Sequence, residues 1–573
     1  MTQLGSQQES FTLLAPIRRL FEKRQFSHEQ VKEFFSFNLS ELPKLTKMND
    51  MDKAALRIIE AIENNEQIGI YGDYDVDGTT SCALLYHFFK MLKVDVSLFQ
   101  PSRFIEGYGI HPSSIDKALE NNVKLLITVD CGITNVEAAE YAQLRGLDLI
   151  ITDHHKDAAE VLPPAYAVVN PNRRDEDKNS GLGVLAGVGV AFALAVRVRE
   201  LLIEKKQNVP SIYPLLQFVA IGTICDMARL STLNLRLSRH GLMQMPNSQY
   251  PGILAFIPPE ERTVAILPSD KISFNIGPLI NSKGRLDHPE RALNVLTAMD
   301  STVARENLAH LEISNRERKF IQGEVFNHAK KIVIENMKHQ FNPINIVYSP
   351  EWHEGVIGIV ASKLVETFEI PAIVFTNAEE HGVIKASART AGQFNIFDAL
   401  KSCEDLFLKF GGHHSAAGLS MKKENLSEFE KRMNQYLKNV PEIARTVQDH
   451  FDIELDFNEV SAELVKQIEL LEPFGNYNTR PVFRMKNVKI HSFRIMKDQH
   501  VRWDIVQKNN DQKRLQGISF FYVGKWNQPT PEDIFSRQEN EDITIQFSLG
   551  INRFNGKEYI QLMVDKIFIG LVH

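Results

Sequence analysis

The stretch GDYDVDG, residues 72 to 78, places carboxylates at alternate positions, on Asp73, Asp75 and Asp77. It follows the apolar run IGIY (68 to 71) and precedes a helical pattern that begins near Thr79. Carboxylates this close repel one another, and their pKa values rise unless cations neutralise the charge. Hard divalent cations with oxygen ligands meet that need. The stretch therefore predicts a metal site at the turn between a strand and a helix.

Three further apolar runs also end in acidic residues or histidines. They are KLLITVD (124 to 130) with Asp130, LDLIITDHH (147 to 155) with Asp153, His154 and His155, and QFVAIGTICD (217 to 226) with Asp226. Interpreted as strands alternating with helical patterns, the runs predict an α/β fold with a parallel sheet covered on both faces. The carboxyl ends of parallel strands share one edge, where ligand sites form. We therefore expect these side chains to converge.

The mixture of aspartate and histidine at this edge favours manganese or magnesium over a closed structural zinc site, which would favour cysteine. Carboxylates that bridge two ions about 3.5 to 4 Å apart form a phosphoryl-transfer centre. In such a centre one ion generates hydroxide and both stabilise charge on the phosphate. The residues alone thus predict a two-metal phosphoesterase.

Composition limits the remaining possibilities. The chain has 573 residues, of which 43% are hydrophobic and 24% charged, typical of folded globular proteins. Its formal net charge is −7, so any nucleic-acid site has to be local. The four cysteines show no zinc-like pairing and indicate a reducing cytoplasm. The apolar stretch at 184 to 196 is too short for a membrane span and is expected to form a buried helix.

The pattern along the chain divides it into five regions. We expect an N-terminal helical segment (1–49) that caps the catalytic lobe, an α/β catalytic domain (50–300), a long connecting helix (301–342), a second α/β lobe (343–445) and a β-rich domain (446–573). In the last region, Asn555 and Gly556 stand between alternating runs and predict a hairpin. A small closed β-barrel is the fold expected there.

Several motifs together resemble a known family. GDYDVDGTTS, TVDCGI (128 to 133) and DHH (153 to 155) resemble the DHH phosphoesterases. Beyond that core, the chain is similar to the RecJ family of single-strand-specific 5′ to 3′ exonucleases in FIEGYG (104 to 109), GPLINSKGR (277 to 285), WHEGVIGIVASKL (352 to 364), SART (387 to 390), GGHHSAAG (411 to 418) and LEPFGNYN (471 to 478). The resemblance runs in order from about residue 50 to the C-terminus, and it implies DHH, DHHA1 and OB-fold domains.

The resemblance also implies roles for individual residues. Those expected to hold two Mn²⁺ or Mg²⁺ ions are Asp75, Asp77, Asp130, His154 and Asp226, with Asp73 beside them and His155 facing the scissile phosphate. Those expected to bind the 5′ phosphate and the substrate are Arg103, Tyr108, Arg285, Ser387, Arg389, Gly411, Gly412 and His413. Tyr71 departs from the pattern, because many members of the superfamily place a metal-binding histidine four residues before the first essential aspartate.

The β-rich domain carries basic residues interleaved with aromatic ones, the mixture with which proteins follow a strand backbone and stack on bases. The residues expected to contact DNA there are Arg484, Lys486, Lys489, Arg494 and Trp503. An acidic protein with a local basic groove should bind strands in a salt-sensitive manner.

The implied function is a cytoplasmic exonuclease that degrades single-stranded DNA to 5′ nucleotides between its two α/β lobes, in DNA repair and recombination. A single-strand-binding protein and a RecQ-type helicase are the partners that the resemblance implies, and a monomer is expected. Three alternatives stay open: hydrolysis of short or cyclic oligonucleotides or pyrophosphate, RNA as a substrate, and a catalytically inactive replication scaffold.

Overall fold

The computed structural model describes residues 12–101, 109–156, 161–282, 290–339, 342–508, 510–554 and 557–570. The chain divides into two compact units. The first unit comprises Lys32–Arg316 and Leu471–Thr479. The second unit comprises the rest of the described chain, namely the residues up to Val31, Glu317–Leu470 and the residues from Arg480 onward.

Two short helices open the described chain, α1 (Ala15–Lys23) and α2 (His28–Phe34). Helix α1 packs within the second unit, where the guanidinium of Arg24 lies 2.8 Å from Asp452 and the Leu14 amide donates to Gln467. The prediction that the N-terminal segment caps the catalytic lobe is therefore wrong for residues 12 to 31. An amphipathic pattern shows that a helix has a partner, but it does not show which domain supplies that partner.

The first unit is built on a five-stranded sheet. Its strands are β1 (Gln67–Gly72), β2 (Val96–Phe99), β3 (Val123–Val129), β4 (Asp148–Thr152) and β5 (Ala167–Val169). All neighbours are parallel, in the order β2-β1-β3-β4-β5. The strand order reverses direction at β1 and β3, so a ligand crevice is expected at their carboxyl ends.

Helices cover both faces of this sheet, as the sequence predicts. The helices of the first unit are α3 (Met51–Glu63), α4 (Val76–Met91), α5 (Pro112–Glu120), α6 (Val136–Leu144), α7 (Gly187–Glu204), α8 (Leu216–Cys225), α9 (Thr232–Gln244), α10 (Pro251–Ala255), α11 (Ser269–Lys271), α12 (Gly277–Ile280) and α13 (Glu290–Leu296), of which α3 to α7 contact the strands. Leu125 and Ile127 of β3 belong to the core cluster that includes α3, α4, α7 and α8, whereas Leu126 belongs to the cluster with α5 and α6. Alternate residues of one strand thus pack into the cores on opposite faces of the sheet.

One of the four predicted strands is wrong, because QFVAIGTICD forms helix α8. Every residue of that helix from Leu216 to Ile224 is buried, so the run carries no polar face. A short, uniformly apolar run does not reveal whether its period is that of a helix or of a strand. Asp226 nevertheless ends the element as predicted, as the C-cap of α8.

The second unit contains the end of the long helix α14 (Ser301–His339). A mixed sheet follows, made of β6 (Asn345–Tyr348), β7 (Ala372–Asn377), β8 (Val383–Arg389), β9 (Phe407–His413) and β10 (Ala416–Lys422), in the order β6-β7-β8-β10-β9. Its helices are α15 (Glu354–Phe368), α16 (Ile396–Lys401), α17 (Leu426–Lys438) and α18 (Glu442–Arg445). The second α/β pattern is confirmed.

The C-terminal region forms the predicted barrel. Its elements are β11 (Ile453–Glu454), α19 (Ala462–Glu469), β12 (Phe483–Met496), β13 (His500–Gln507), β14 (Asn510–Ser519), α20 (Pro531–Arg537), β15 (Ile543–Phe554) and β16 (Lys557–Ile569). The order β12-β13-β14-β16-β15 closes through pairing of β12 with β15, the arrangement of an OB fold. Strands β15 and β16 pair antiparallel on either side of Asn555 and Gly556, which themselves lie outside the described residues.

No helix in the described part of the chain combines the length and the apolar character needed to cross a membrane.

Candidate metal centre

The carboxyl ends of β1, β3 and β4 bring the predicted acidic residues together. Asp73, Asp75 and Asp77 follow β1, Asp130 follows β3, and His154 follows β4. The imidazole Nε2 of His154 lies 3.1 Å from Asp130 Oδ1, 3.8 Å from Asp77 Oδ2 and 3.9 Å from Asp226 Oδ2. Four residues from four separate segments therefore converge on one point.

Two sets of side chains have the spacing of metal ligands, and they share His154. In the first set, the ligand atoms of Asp77, His154 and Asp226 all lie within 4.8 Å of one another. The second set is Asp130, His154 and His155. Asp75 and Asp73 belong to neither set among the described residues. Asp75 Oδ1 accepts a hydrogen bond from the Gly78 amide and caps α4.

Asp77 is held in place by the start of helix α7, a contact that the sequence did not reveal. The amide of Gly187 donates to Asp77 Oδ2 at 2.6 Å, and the amide of Val188 donates to Oδ1 at 2.9 Å. Gly187 also contacts Asp130 so closely that an added Cβ would lie 2.6 Å from the Cβ of that residue. A glycine is therefore required where the helix meets both acids.

Asp153 organises the two histidines rather than belonging to either candidate ligand set. Its Oδ1 accepts hydrogen bonds from the amides of His154 and His155 and from His155 Nδ1 at 2.8 Å, and its Oδ2 accepts from the Ile133 amide. Burial opposes the charge of Asp153, but these bonds hold its pKa below the usual value. Burial also opposes the charge of His155, yet the bond to Asp153 raises its pKa to about 9.

Four acids of the cluster, Asp73, Asp77, Asp130 and Asp226, have pKa values raised well above those of exposed carboxylates. Burial, and then repulsion from Asp226, raises the pKa of Asp77 to about 7. Burial, and then the charge of Asp75, raises the pKa of Asp226 and of Asp73 to about 7. The pKa of the buried Asp130 is raised for the same reasons. A divalent cation would remove this repulsion.

The donor atoms fit a divalent cation. Nε2 of His154 and Oδ1 of Asp73 are buried and make no hydrogen bond to any described residue. Such orphaned polar atoms are costly unless a ligand satisfies them. Oxygen donors with one imidazole nitrogen suit Mn²⁺ or Mg²⁺.

The hydroxyl of Tyr71 is hydrogen-bonded to a neighbouring segment. Tyr71 is 2% exposed, and its hydroxyl donates to the Gly109 carbonyl at 2.9 Å while accepting from the Ser114 hydroxyl. The residue that replaces the superfamily histidine thus anchors the chain that follows β2.

Part of the predicted phosphate site lies on the sheet of the second unit. Ser387 on β8 faces Gly418 on β10, which faces Gly411 on β9, so small residues line up across three strands. Arg389 Nη1 donates to the Ser387 hydroxyl at 2.9 Å, and burial lowers the pKa of its guanidinium.

Gly412 and His413 continue strand β9 beside this row, and His413 is exposed. The structure therefore groups all five of the predicted residues of this sheet. Arg103, Tyr108 and Arg285 lie outside the described residues.

Two predicted DNA contacts in the barrel are wrong. Trp503 is fully buried, and its indole N–H donates to the Ser519 hydroxyl at 2.8 Å, so its ring is not available to a base. Arg484 is 7% exposed, and its guanidinium stacks 3.8 Å from the ring centre of Phe451. In a barrel strand, alternate side chains point into the core, and the sequence did not fix which ones do.

The other three basic residues predicted to contact DNA reach the surface. Lys486 pairs with Glu454 and Lys489 pairs with Glu539. Arg494 is exposed and lies directly opposite Arg502 on the neighbouring strand. Like charges facing each other across a strand pair are destabilising unless an anion binds between them.

Comparison with known proteins identifies similar domains along the chain. A model of the DHH family N-terminal domain matches residues 67–223, the DHHA1 domain matches 341–439 and the RecJ OB domain matches 451–566. The single-stranded-DNA-specific exonuclease RecJ of Haemophilus influenzae is 32% identical over 96% of this chain and 95% of its own length.

The protein of the same name from Bacillus subtilis is 33% identical over 90% of this chain. The match spans 63% of the length of that relative. Among solved structures, RecJ of Thermus thermophilus in complex with Mn²⁺ superposes with a TM-score of 0.74 and 25% identity, covering 96% of this chain and 75% of that one.

Proposed function

The chain belongs to the RecJ family, and on that premise we propose that it degrades single-stranded DNA from the 5′ end and releases 5′ mononucleotides by metal-dependent hydrolysis. The observation that carries the proposal is the convergence of Asp77, Asp130, Asp226 and His154 on one point. A cluster of such donors can hold the divalent cations that catalyse phosphoryl transfer.

We propose that Asp75, Asp77, Asp130, His154 and Asp226 hold two Mn²⁺ or Mg²⁺ ions, with Asp73 beside them. The relative from Thermus thermophilus was solved in complex with Mn²⁺, which supports the choice of metal. When bound, such ions supply an activated water and stabilise negative charge on the phosphate.

The protein's own groups orient this centre and supply positive charge. The α7 amides fix both oxygens of Asp77, so that its carboxylate cannot rotate away. Asp153 holds the proton on His155 Nδ1, and in the metal-free protein this bond outweighs burial and raises the pKa of the imidazole to about 9. We assign His155 the role of binding an oxygen of the scissile phosphate through Nε2–H.

The sheet of the second unit supplies a candidate site for the 5′ phosphate. Ser387 and Arg389 offer a hydroxyl and a guanidinium, and the row of Gly418 and Gly411 leaves the backbone accessible to an anion. Gly412 and His413 border this row. Arg103, Tyr108 and Arg285 are assigned to the same task on the family resemblance alone.

We propose that the barrel binds the strand farther from the cut, through exposed cations. The facing pair of Arg494 and Arg502 supports this role, because a phosphate between them would relieve their repulsion. Lys486 and Lys489 have carboxylate partners and would have to exchange them for phosphates. Binding should weaken as salt rises.

The biological setting is proposed on the family resemblance. We place the enzyme in the cytoplasm, in DNA repair and recombination, as a monomer that works with a single-strand-binding protein and a RecQ-type helicase. The four cysteines are free thiols in the structure, which supports a reducing compartment.

The test uses purified protein, Mn²⁺ and an internally labelled DNA strand whose 5′ or 3′ end is blocked, beside the same strand in blunt duplex and an RNA of the same sequence. We expect degradation to stop only when the 5′ end is blocked and to spare the duplex. Asp77→Ala should be inactive, whereas Glu140→Gln, which removes an exposed carboxylate on α6, should match the wild type.

The outcomes separate the alternatives. Binding without cutting under any metal would indicate a scaffold, and cutting of dinucleotides alone would move the protein to the short-substrate branch of the superfamily. Degradation of the RNA at the same rate as the DNA would show that RNA is also a substrate.

A further inference from the structure

The segment Leu471–Thr479 packs in the first unit against the turn that follows Asp226. The side-chain amide of Asn476 donates to the Met227 carbonyl at 2.9 Å, and the amide of Leu230 donates to the Asn476 carbonyl at 3.0 Å. Asn478 holds the segment itself in shape, since its side-chain amide donates to the carbonyls of Leu471 and Pro473. The segment therefore has a fixed position relative to the chain just beyond a proposed metal ligand.

This contact places an aromatic ring and a guanidinium together at the surface. The Arg229 guanidinium lies 3.9 Å from the ring centre of Tyr477, a cation–π contact. Arg229 is exposed and Tyr477 is 63% exposed. Within the described residues Arg229 has no ion-pair partner and the Tyr477 hydroxyl makes no hydrogen bond, so both retain binding capacity.

Packing does not explain the tyrosine. The φ angle of Tyr477 is 67°, in the left-handed region that disfavours a bulky side chain and that glycine occupies without strain. A ring that is mostly exposed buries too little surface to offset that strain. Strained residues of this kind cluster at ligand-binding sites.

The position of the pair suggests what it binds. Arg229 is three residues beyond Asp226, so their Cα atoms lie within about 11 Å of each other. Aromatic rings stack on bases without regard to sequence, and arginine binds backbone phosphates. Building on the function proposed above, we propose that Tyr477 and Arg229 form a contact site for the DNA strand beside the metal centre, with the ring stacked on a base and the guanidinium on a phosphate.

The test compares Tyr477→Gly with the wild type on strands that carry one abasic nucleotide at successive positions from the 5′ end. In the wild type, we expect KM to rise about 5- to 10-fold when the missing base is the one that stacks. On the intact strand, Tyr477→Gly should have the raised KM that the wild type has on the abasic strand, with an unchanged kcat. The KM of this variant should not depend on where the abasic nucleotide lies. Tyr477→Phe keeps the ring and should behave as the wild type, and Arg229→Gln should raise KM and weaken the salt dependence of binding.

Lys206→Gly is the matched control, because Lys206 also has a positive φ, 61°, and its side chain is exposed. Both glycine variants relieve strain, so neither should lower Tm, and Lys206→Gly should leave KM unchanged. The proposal is overturned if Tyr477→Gly keeps the wild-type KM and abasic response, or if it loses kcat together with Tm. A wild type that neither binds nor cuts the strand would instead refute the proposed function.

Discussion

Replacing Gly187 with alanine should greatly reduce the activity of the enzyme while leaving it folded. A Cβ at this position would lie 2.6 Å from Asp130 Cβ and 2.7 Å from Asp130 Oδ1. Ordinary carbon contacts are about 3.5 to 4.0 Å, so Asp130 and the start of α7 have to separate by roughly 1 Å. The same movement shifts the Gly187 amide, which holds Asp77 Oδ2. Two proposed metal ligands are therefore displaced by one methyl group.

The magnitudes differ for stability and for activity. Overpacking of this kind costs about 1 to 3 kcal/mol, which lowers Tm by about 2 to 10 °C in a unit of this size. A displacement of about 1 Å at the reacting groups costs about 100-fold in rate. We therefore expect kcat/KM to fall about 100-fold and the Mn²⁺ concentration for half-maximal activity to rise, at temperatures well below Tm.

Gly323→Ala provides the matched control. Gly323 lies within α14, and a Cβ there meets no atom within 4 Å. This variant should gain about 0.5 to 1 kcal/mol of stability without a change in rate. The assays are Mn²⁺-dependent degradation of a labelled strand and thermal melting of all three proteins. A Gly187→Ala enzyme with wild-type kcat/KM and Mn²⁺ dependence would refute the reasoning.

Three other predictions use four single substitutions. Asp226→Asn should abolish degradation, yet raise Tm in EDTA at pH 8. Because the pKa of Asp226 is about 7 in the folded protein, ionisation of this buried acid destabilises the metal-free wild type as pH rises from 4 through 7. The difference in Tm between Asp226→Asn and the wild type should therefore shrink towards pH 4. A difference that stays constant across a series of melts at different pH would contradict this prediction. Asp153→Asn should weaken Mn²⁺ binding about 10- to 100-fold without removing a ligand, measured by calorimetry. Trp503→Ala should destabilise the barrel by about 3 to 5 kcal/mol in denaturant melts, whereas Arg494→Ala should leave the melts unchanged and reduce the salt dependence of strand binding. A Trp503→Ala protein that melts as the wild type does but binds the strand more weakly would restore the prediction that Trp503 contacts DNA.

The acidic centre could be predicted because each of its parts is local in sequence. The strand before Asp73 and the strands before Asp130 and His154 have clear apolar runs, and parallel pairing brings their ends together. The contribution of α7 could not be predicted, because the bond from Gly187 to Asp77 joins segments 110 residues apart. No pattern within either segment encodes that contact.

The errors arose where a pattern fits two structures equally well. The run that became α8 is buried on all sides, so it lacks the polar face that distinguishes a helix from a strand. Trp503 and Arg494 lie in neighbouring barrel strands rich in basic and aromatic residues, and only the register of those strands shows that one points inward and the other outward.

The segment Leu471–Thr479 also affects when the first unit can finish folding during synthesis. The buried Arg239 side chain donates from Nε to the Glu472 carbonyl, and the Glu472 carboxylate accepts from the hydroxyl of Ser269. The first unit therefore takes a piece of its interior from the far side of the 154 residues between Glu317 and Leu470. At about 5 to 20 residues per second, the ribosome delivers that piece roughly 8 to 30 s after the rest of the unit. During this interval Arg239 Nε lacks the Glu472 carbonyl to which it donates in the finished protein, so the first unit is completed only after residues 471 to 479 have been synthesised.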